Sequence, residues 1–210
     1  MRTKLTYPKI PDSSAKFSGR CIAFNKYDGT NLHWNWEPEL GWYGFGARRT
    51  QFDLDDQGIA EFNAHHKGLL SEAPDIFRRD LADPLEEIFR ARGEQEVTVF
   101  TEFMGPNSFV GLHKAADPKE LVLFDVETSK GFTPPGTFVE QFGHLNIAQF
   151  VYHGPLNGRF MADVRAGHFD TPEGVVVKGM RGGWMLKIKT DAYRERLKAA
   201  FEADWEAHWE

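Results

Sequence analysis

Glu173-Gly174-Val175-Val176-Val177-Lys178-Gly179, followed after Met180-Arg181-Gly182-Gly183 by Trp184-Met185-Leu186-Lys187-Ile188-Lys189, reads as a β-hairpin. Two runs of β-branched or alternating apolar residues flank a glycine-containing turn. Side chains alternate across a strand, so Lys187 and Lys189 point to one face while Leu186 and Ile188 point to the other. Runs of the same kind occur at 20–25, 31–36, 97–103, 121–126 and 148–152. Helical signals are fewer. Asp83-Pro84 offers an N-cap and a proline at the first helical position ahead of an apolar-periodic run that Gly93 stops, and Ser71 is a candidate cap for a shorter helix before it. Tyr193, Leu197, Phe201, Trp205 and Trp209 recur at i+4 spacing with charges between them, which predicts one amphipathic helix over about 191–209. Strands dominate, and helices do not follow each strand in turn. The expectation is an α+β fold of largely antiparallel sheets flanked by helices, not a doubly wound one.

Composition narrows the class further. The 210 residues are 41% hydrophobic and 14% aromatic, enough to bury a sizeable core, and the absence of repeats, Gly/Ser linkers and low-complexity stretches predicts a single domain over 1–210. Cys21 is the only cysteine, which excludes an internal disulfide and a cysteine-rich metal site and suits a reducing compartment. The opening residues carry no apolar run of signal-peptide length, and no stretch approaches the roughly 20 apolar residues of a membrane span, so a cytoplasmic location is expected. A net charge of -6 argues against a uniformly basic nucleic-acid coat protein. Positive charge is nevertheless concentrated between Lys178 and Lys198, where five further cations face only Asp191 and Glu195.

Within this frame, Asn25-Lys26-Tyr27-Asp28-Gly29-Thr30-Asn31 places a lysine where a strand runs into an Asp-Gly turn. Taken alone it reads as a solvated edge charge, because short motifs recur by chance. The paired lysines of the hairpin likewise suit an edge strand protected against aggregation, although two ammonium groups on one face also call for an anion between them. Val97-Thr98-Val99-Phe100-Thr101-Glu102-Phe103-Met104-Gly105 ends an apolar strand with a carboxylate. Leu121-Val122-Leu123-Phe124-Asp125-Val126 sets an aromatic and an acid inside a strand.

Together and in this order, these pieces resemble the covalent nucleotidyltransferase superfamily of DNA ligases, RNA ligases and mRNA capping enzymes. KYDG is similar to its nucleophile motif, TEFMG to its glutamate-containing third motif, LFDV to its adenine-stacking strand, EGVVVKG to its fourth motif and LKIK to its closing Lys-x-Lys. The match runs from residue 26 to residue 189. The resemblance implies an adenylyltransferase domain in which Lys26 attacks the α-phosphate of ATP and carries AMP as a phosphoramidate. AMP then passes to a 5'-phosphate end, and a 3'-hydroxyl finally displaces it. Lysine's pKa of about 10.4 leaves almost no neutral amine near pH 7, so Lys187, Lys189 and a divalent metal are expected to depress it while neutralising the triphosphate. Glu102 and Glu173 are hard oxygen donors suited to Mg2+ or Mn2+. The same resemblance assigns Phe124 to one wall of the adenine pocket and Val175 with its strand neighbours to the other, Asp28 and Gly29 to the turn that holds Lys26, and the backbone of Asn25 to the adenine amino group. Arg49, ahead of Arg48, fits the arginine motif of RNA ligases.

About 20 residues follow Lys189, too few for the OB module that capping enzymes carry, so the nearest resemblance is to small ATP-dependent RNA ligases lacking it. Arg49 and Asn31 incline the substrate toward RNA ends, with DNA ends as the alternative. A non-catalytic nucleotide-binding module is the other rival; it would keep the Phe124 pocket but dispense with the reactive lysine. No P-loop sequence and no HExxH occurs, and the histidines read as packing or solvated residues.

Overall fold

The computed structural model describes residues 6–106 and 110–209. The strands are β1 (Arg20–Lys26), β2 (Thr30–Glu37), β3 (Gly41–Ala47), β4 (Phe52–Asp53), β5 (Val97–Met104), β6 (Glu120–Thr128), β7 (Gly131–Phe132), β8 (Phe150–Pro155), β9 (Gly174–Gly179) and β10 (Met185–Lys189). They form a four-stranded sheet, β10-β9-β1-β8, and a six-stranded sheet, β4-β3-β2-β5-β6-β7, with every named pair antiparallel. The helices are α1 (Asp56–His65), α2 (Ala73–Phe77), α3 (Asp83–Arg92), α4 (Pro135–Phe142), α5 (Gly158–Arg165), α6 (Asp191–Phe201) and α7 (Trp205–Trp209). The fold is α+β, as expected. No helix among the described residues is long and apolar enough to cross a membrane.

Alternation in β1 divides the interior into two cores. Cys21 and Ala23 join Val175, Val177, Leu186 and Ile188 beneath Phe160 and Val164 of α5. Ile22 and Phe24 point the other way, into the larger core. That core is built on Trp34 and Trp36 of β2, with Trp34 stacked on Phe77 of α2 at 4.0 Å and its indole N–H given to Thr101 Oγ1 at 2.9 Å. Trp34 therefore leaves no orphaned donor, whereas Trp36 Nε1 is buried without a hydrogen-bond partner among the described residues.

Three helix boundaries differ from the sequence expectation. Asp83 is not a cap: Ala73 to Arg92 is one continuous helical run, with Pro74 in its first turn and a π-helical turn at Arg78–Ala82 just before Pro84. Proline has no N–H to give back and crowds the preceding turn, and the widened turn accommodates both. Ser71 does not cap the short helix either; Glu72 holds that position without a side-chain bond. Gly93 does end the run, at φ 65, with its N–H shared between Phe89 and Arg90 carbonyls. The C-terminal helix, expected as one element, breaks at Glu202 (φ 47, ψ -114) into α6 and α7. The break lets α7 fold back, so that Trp209 lies over Lys189 at 5.6 Å and Arg194 at 5.8 Å.

Candidate active site

Strand register gathers one face of the small sheet. Lys26 and Lys189 are both paired with Gly174, Val176 is paired with Phe24 and Lys187, and Lys178 is paired with Ile22 and Met185. Cross-strand partners share a face, so Lys26, Val176, Lys178, Lys187 and Lys189 all look away from α5. On the large sheet, β2 and β5 place Asn31 opposite Glu102.

The turn after Lys26 is fixed from several directions. Asp28 is buried, with Oδ1 accepting from the Tyr193 hydroxyl at 3.0 Å and Oδ2 from Val110 N at 3.0 Å, while its carbonyl lies 3.0 Å from His113 Nε2. Gly29 N donates to Glu102 Oε1 at 3.1 Å. A Cβ on Gly29 would stand 2.5 Å from the Phe103 carbonyl oxygen, so only glycine lets the turn approach β5 this closely.

Lys26 Nζ lies 2.8 Å from Glu173 Oε1, and Lys189 Nζ lies 3.6 Å from the same oxygen. The protein's own groups do not by themselves depress the nucleophile. Burial by itself lowers the Lys26 pKa, but Glu173, Glu102 and Asp28 outweigh it and hold the ammonium above its ordinary value. The depression falls on the neighbours instead: burial brings Lys189 down to about 8, against the opposing pull of Glu173 and with help from Lys26 and Lys187. Lys187 is lowered too, by burial and then by Lys26 and Lys9. Burial raises Glu102 to about 7, with Lys26 opposing and Glu173 adding to the rise. Sequence reasoning named Glu173 as a metal donor but did not foresee its direct contact with the Lys26 ammonium.

Across the cleft, β6 carries a bulge. Phe100 is opposite Asp125 and Thr101 is opposite Leu123, so Phe124 is the extra residue. Phe124 and Asp125, which alternation alone would send to opposite faces, therefore meet the same partners. Lys178 Nζ reaches Asp125 Oδ2 and the Phe124 carbonyl, both at 2.8 Å. Tyr7 donates its hydroxyl to Asp125 Oδ2 at 2.8 Å and sets its ring edge-on to Phe124 at 5.0 Å. Neither Lys178 nor Tyr7 was singled out from sequence. The alternation of β9 contains the signal for Lys178, whereas nothing local marks Tyr7, which is 118 residues from its partner.

Three other assignments land differently. Val175 is fully buried in the core beneath α5, and the apolar residue on the cleft face is Val176. Asn25 is paired with Val175 and so shares its α5 side of the sheet; its backbone N–H is given to Gln149 O at 2.8 Å, and only its carbonyl could accept from an adenine amino group. Arg49, with Arg48 at φ 48, sits in the exposed turn after β3, and no hydrogen bond or ion pair given among the described residues ties it to the Lys26 cluster. No group of three or more His, Cys, Asp or Glu among the described residues could hold a metal unaided. Glu173 Oε2 is buried without a hydrogen-bond partner among the described residues, however, and Glu102 is near enough to repel it. That pair fits an ion that takes its remaining ligands from water and phosphate.

No family model matches the chain, and no curated protein matches it. Solved structures do. An archaeal ATP-dependent RNA ligase aligns with 96% of this chain and 52% of its own, at TM-score 0.66 and 16% identity. Naegleria gruberi RNA ligase with PPi aligns with 86% of this chain and 52% of its own, at TM-score 0.58 and 15% identity. A mutant of that ligase with AMP and Mn aligns with 84% and 51%, at TM-score 0.58 and 14% identity. The chain spans about half the length of these ligases, and at such identities the likeness establishes a shared fold.

Proposed function

We propose that residues 1–210 form a single nucleotidyltransferase domain acting as an ATP-dependent RNA ligase. The observation that carries the reading is the cluster at the end of β1, where Glu173 Oε1 lies between Lys26 Nζ at 2.8 Å and Lys189 Nζ at 3.6 Å. Lys26 Nζ, once deprotonated, attacks the α-phosphorus of ATP; the N–P bond forms as the P–O bond to the β-phosphate breaks, and pyrophosphate leaves with the electron pair. AMP then moves from Lys26 to a 5'-phosphate, and a 3'-hydroxyl displaces it.

Each residue has a part that its placement supports. The Tyr193–Asp28 bond and the Gly29–Glu102 bond hold the turn, so Lys26 meets the phosphate from a fixed origin. Lys187 and Lys189 receive charge that builds on the phosphates. Phe124 and Val176 lie on the two sheets where a purine could be held between them, and Lys178 anchors the Phe124 carbonyl. Glu102 and Glu173 would hold Mg2+ or Mn2+, which would neutralise phosphate charge and draw Glu173 away from the Lys26 ammonium. Arg49 and Asn31, at the β3 turn and opposite Glu102, are the residues assigned to the RNA end.

The test is incubation with ATP labelled in the α-phosphate, denaturing electrophoresis and peptide mapping. AMP should be found on Lys26, and Lys26→Ala should carry none. Label on another lysine, or no label with either metal, refutes the reading in favour of a nucleotide-binding module. Sealing of DNA ends far faster than RNA ends overturns the substrate class alone.

A further inference from the structure

The strands of the small sheet carry charge of one sign. No Asp or Glu occurs at 13–27, 141–162 or 174–190, the stretches that contain β1, β8, β9 and β10, although the whole chain has a net charge of -6. Five of the six acids that flank these stretches are engaged. Glu173 lies against Lys26 and Lys189, Asp163 against Arg159 and His168, and Asp191 against Arg194, while Asp28 accepts from Tyr193 and Asp12 from Ser14 N. The sixth, Glu140, is on α4. At one end of the sheet the cations belong to the Lys26 cluster. The opposite end has Lys16, Arg20 and Arg181, all exposed and none in an ion pair among the described residues; Arg20 reaches only His153 Nε2, at 3.3 Å.

Two aromatic rings stand among these three cations. Phe17 is 36% exposed, and its ring stacks on Trp184 with centroids 5.1 Å apart and planes 9° from parallel. Trp184 opens the approach to β10, where its carbonyl accepts from Gly179 N at 3.1 Å. Its indole lies so close over Gly179 that a Cβ there would stand 2.5 Å from Nε1. One ring is therefore seated on backbone, and the other meets water. Met180 N, beside Arg181, donates to the Arg20 carbonyl at 3.1 Å, which brings the β9–β10 turn and the start of β1 together. An open aromatic face next to unpaired cations suits a single-stranded nucleic acid, whose bases stack and whose phosphates take the charge. One exposed ring among cations offers little of the apolar centre that a protein interface needs.

We propose that Phe17 and Trp184, with Lys16, Arg20 and Arg181 around them, form a second contact for single-stranded RNA, one that holds the strand at a distance from the end being joined. The proposal rests on the reading of the protein as an RNA ligase. β10 sets the distance: Trp184 is five residues before Lys189, about 17 Å at the rise of a strand. That span is about five nucleotides at a stacked spacing of roughly 3.4 Å. A dinucleotide whose end lies at Lys26 cannot reach the rings, and a twelve-nucleotide strand can. Stacking accepts any base, so the surface adds affinity without sequence preference.

Fluorescence anisotropy with a labelled twelve-nucleotide RNA needs neither ATP nor catalysis, so it reads the surface whether or not the ligase reading holds. Phe17→Ala should weaken binding about 5- to 150-fold, the range for one base–aromatic stack, and Phe17→Trp should retain it. Arg181→Ala should flatten the slope of log affinity against log salt by about 0.7, the change for one phosphate contact on a single strand. Phe17 and Arg181 are exposed, and circular dichroism melts would show that both variants fold. In the kinetic arm, Phe17→Ala should raise KM for a twelve-nucleotide strand by the same factor. It should leave kcat, the dinucleotide and AMP loading without RNA unchanged. Lengthening the 5'-phosphorylated and 3'-hydroxyl strands one at a time identifies which of them the surface holds. Twelve-nucleotide affinity unchanged in Phe17→Ala refutes the proposal and leaves the stack as a clasp for the N-terminal segment. Equal losses on the dinucleotide and the long strand refute it too, because they locate the effect at the active site. Lack of AMP on Lys26 with the weaker twelve-nucleotide binding intact defeats the ligase reading and leaves the RNA surface standing.

Discussion

The two sheets meet with opposite chemistry. The four-stranded sheet brings cations, Lys26, Lys178, Lys187 and Lys189, on strands only five to seven residues long. The six-stranded sheet brings Glu102, Phe124 and Asp125 and rests on the large aromatic core. The difference indicates a division of labour: a charged sheet that handles phosphate and a rigid, core-backed sheet that places an aromatic and acids against it. Lys178–Asp125, at 2.8 Å, is the ion pair that joins the two.

Breaking that joint should have the largest effect. Lys178 and Asp125 are 7% and 1% exposed, and removing one partner of such a buried pair strands the other, at a cost of about 3–5 kcal/mol. Urea melts of Lys178→Met should show it, and adding Asp125→Leu should restore much of the loss. Equal melts for Lys178→Met and the parent would mean that the sheets are held together by packing alone.

Next in size is a change confined to the charged sheet. Lys189→Ala should slow enzyme-AMP formation about 100- to 1000-fold, as for loss of one preorganised electrostatic group. Glu173 keeps Lys26 at 2.8 Å when Lys189 is removed, so the melting point should fall less than in Lys178→Met, and a matching collapse in both would erase the distinction between the sheets.

The core-backed sheet has its own pH signature. His33 of β2 is 1% exposed, and burial brings its pKa down to about 4. The unfolded chain, titrating near 6.5, binds a proton first, so stability is full above pH 6.5 and falls by up to about 3 kcal/mol as pH drops from 6.5 to 4. His33→Gln should flatten that part of a stability-against-pH curve. A slope that survives the substitution would locate the titration elsewhere.

The smallest effect expected is at the aromatic wall. Phe124→Ala should weaken ATP binding by about 1–3 kcal/mol, the range for base–aromatic stacking, with leucine better tolerated. Unchanged ATP affinity would make Phe124 a packing residue beside Tyr7.

Much of this architecture is legible in the chain. Seven strands stand out because β-branched or alternating residues mark them. β3 is hidden because Gly-Trp-Tyr-Gly-Phe-Gly-Ala interrupts the pattern with glycines, and β4 and β7 are only two residues long. Gly93 as a helix stop is a local property of one residue, and it was readable. The start of α3 was not, since Asp83-Pro84 carries a cap signature while sitting inside a helix that a π turn keeps continuous.

By itself the sequence determined the α+β class, the order of the motif segments and, through the period of two in a strand, the shared face of Lys187 and Lys189. Only the tertiary structure decided the ionisation of Lys26, because that depends on carboxylates 76 and 147 residues away in the chain, at positions 102 and 173, brought beside it. It also decided that Phe124 and Asp125 share partners, since a bulge is a mismatch between two strands and neither strand records it alone. Which of Val175 and Val176 faces Lys187 follows from the side of β9 that α5 covers, and the placing of Tyr7 against Asp125 from how distant backbones cross. Local pattern fixes which way a side chain alternates; packing between remote segments fixes what it finds there.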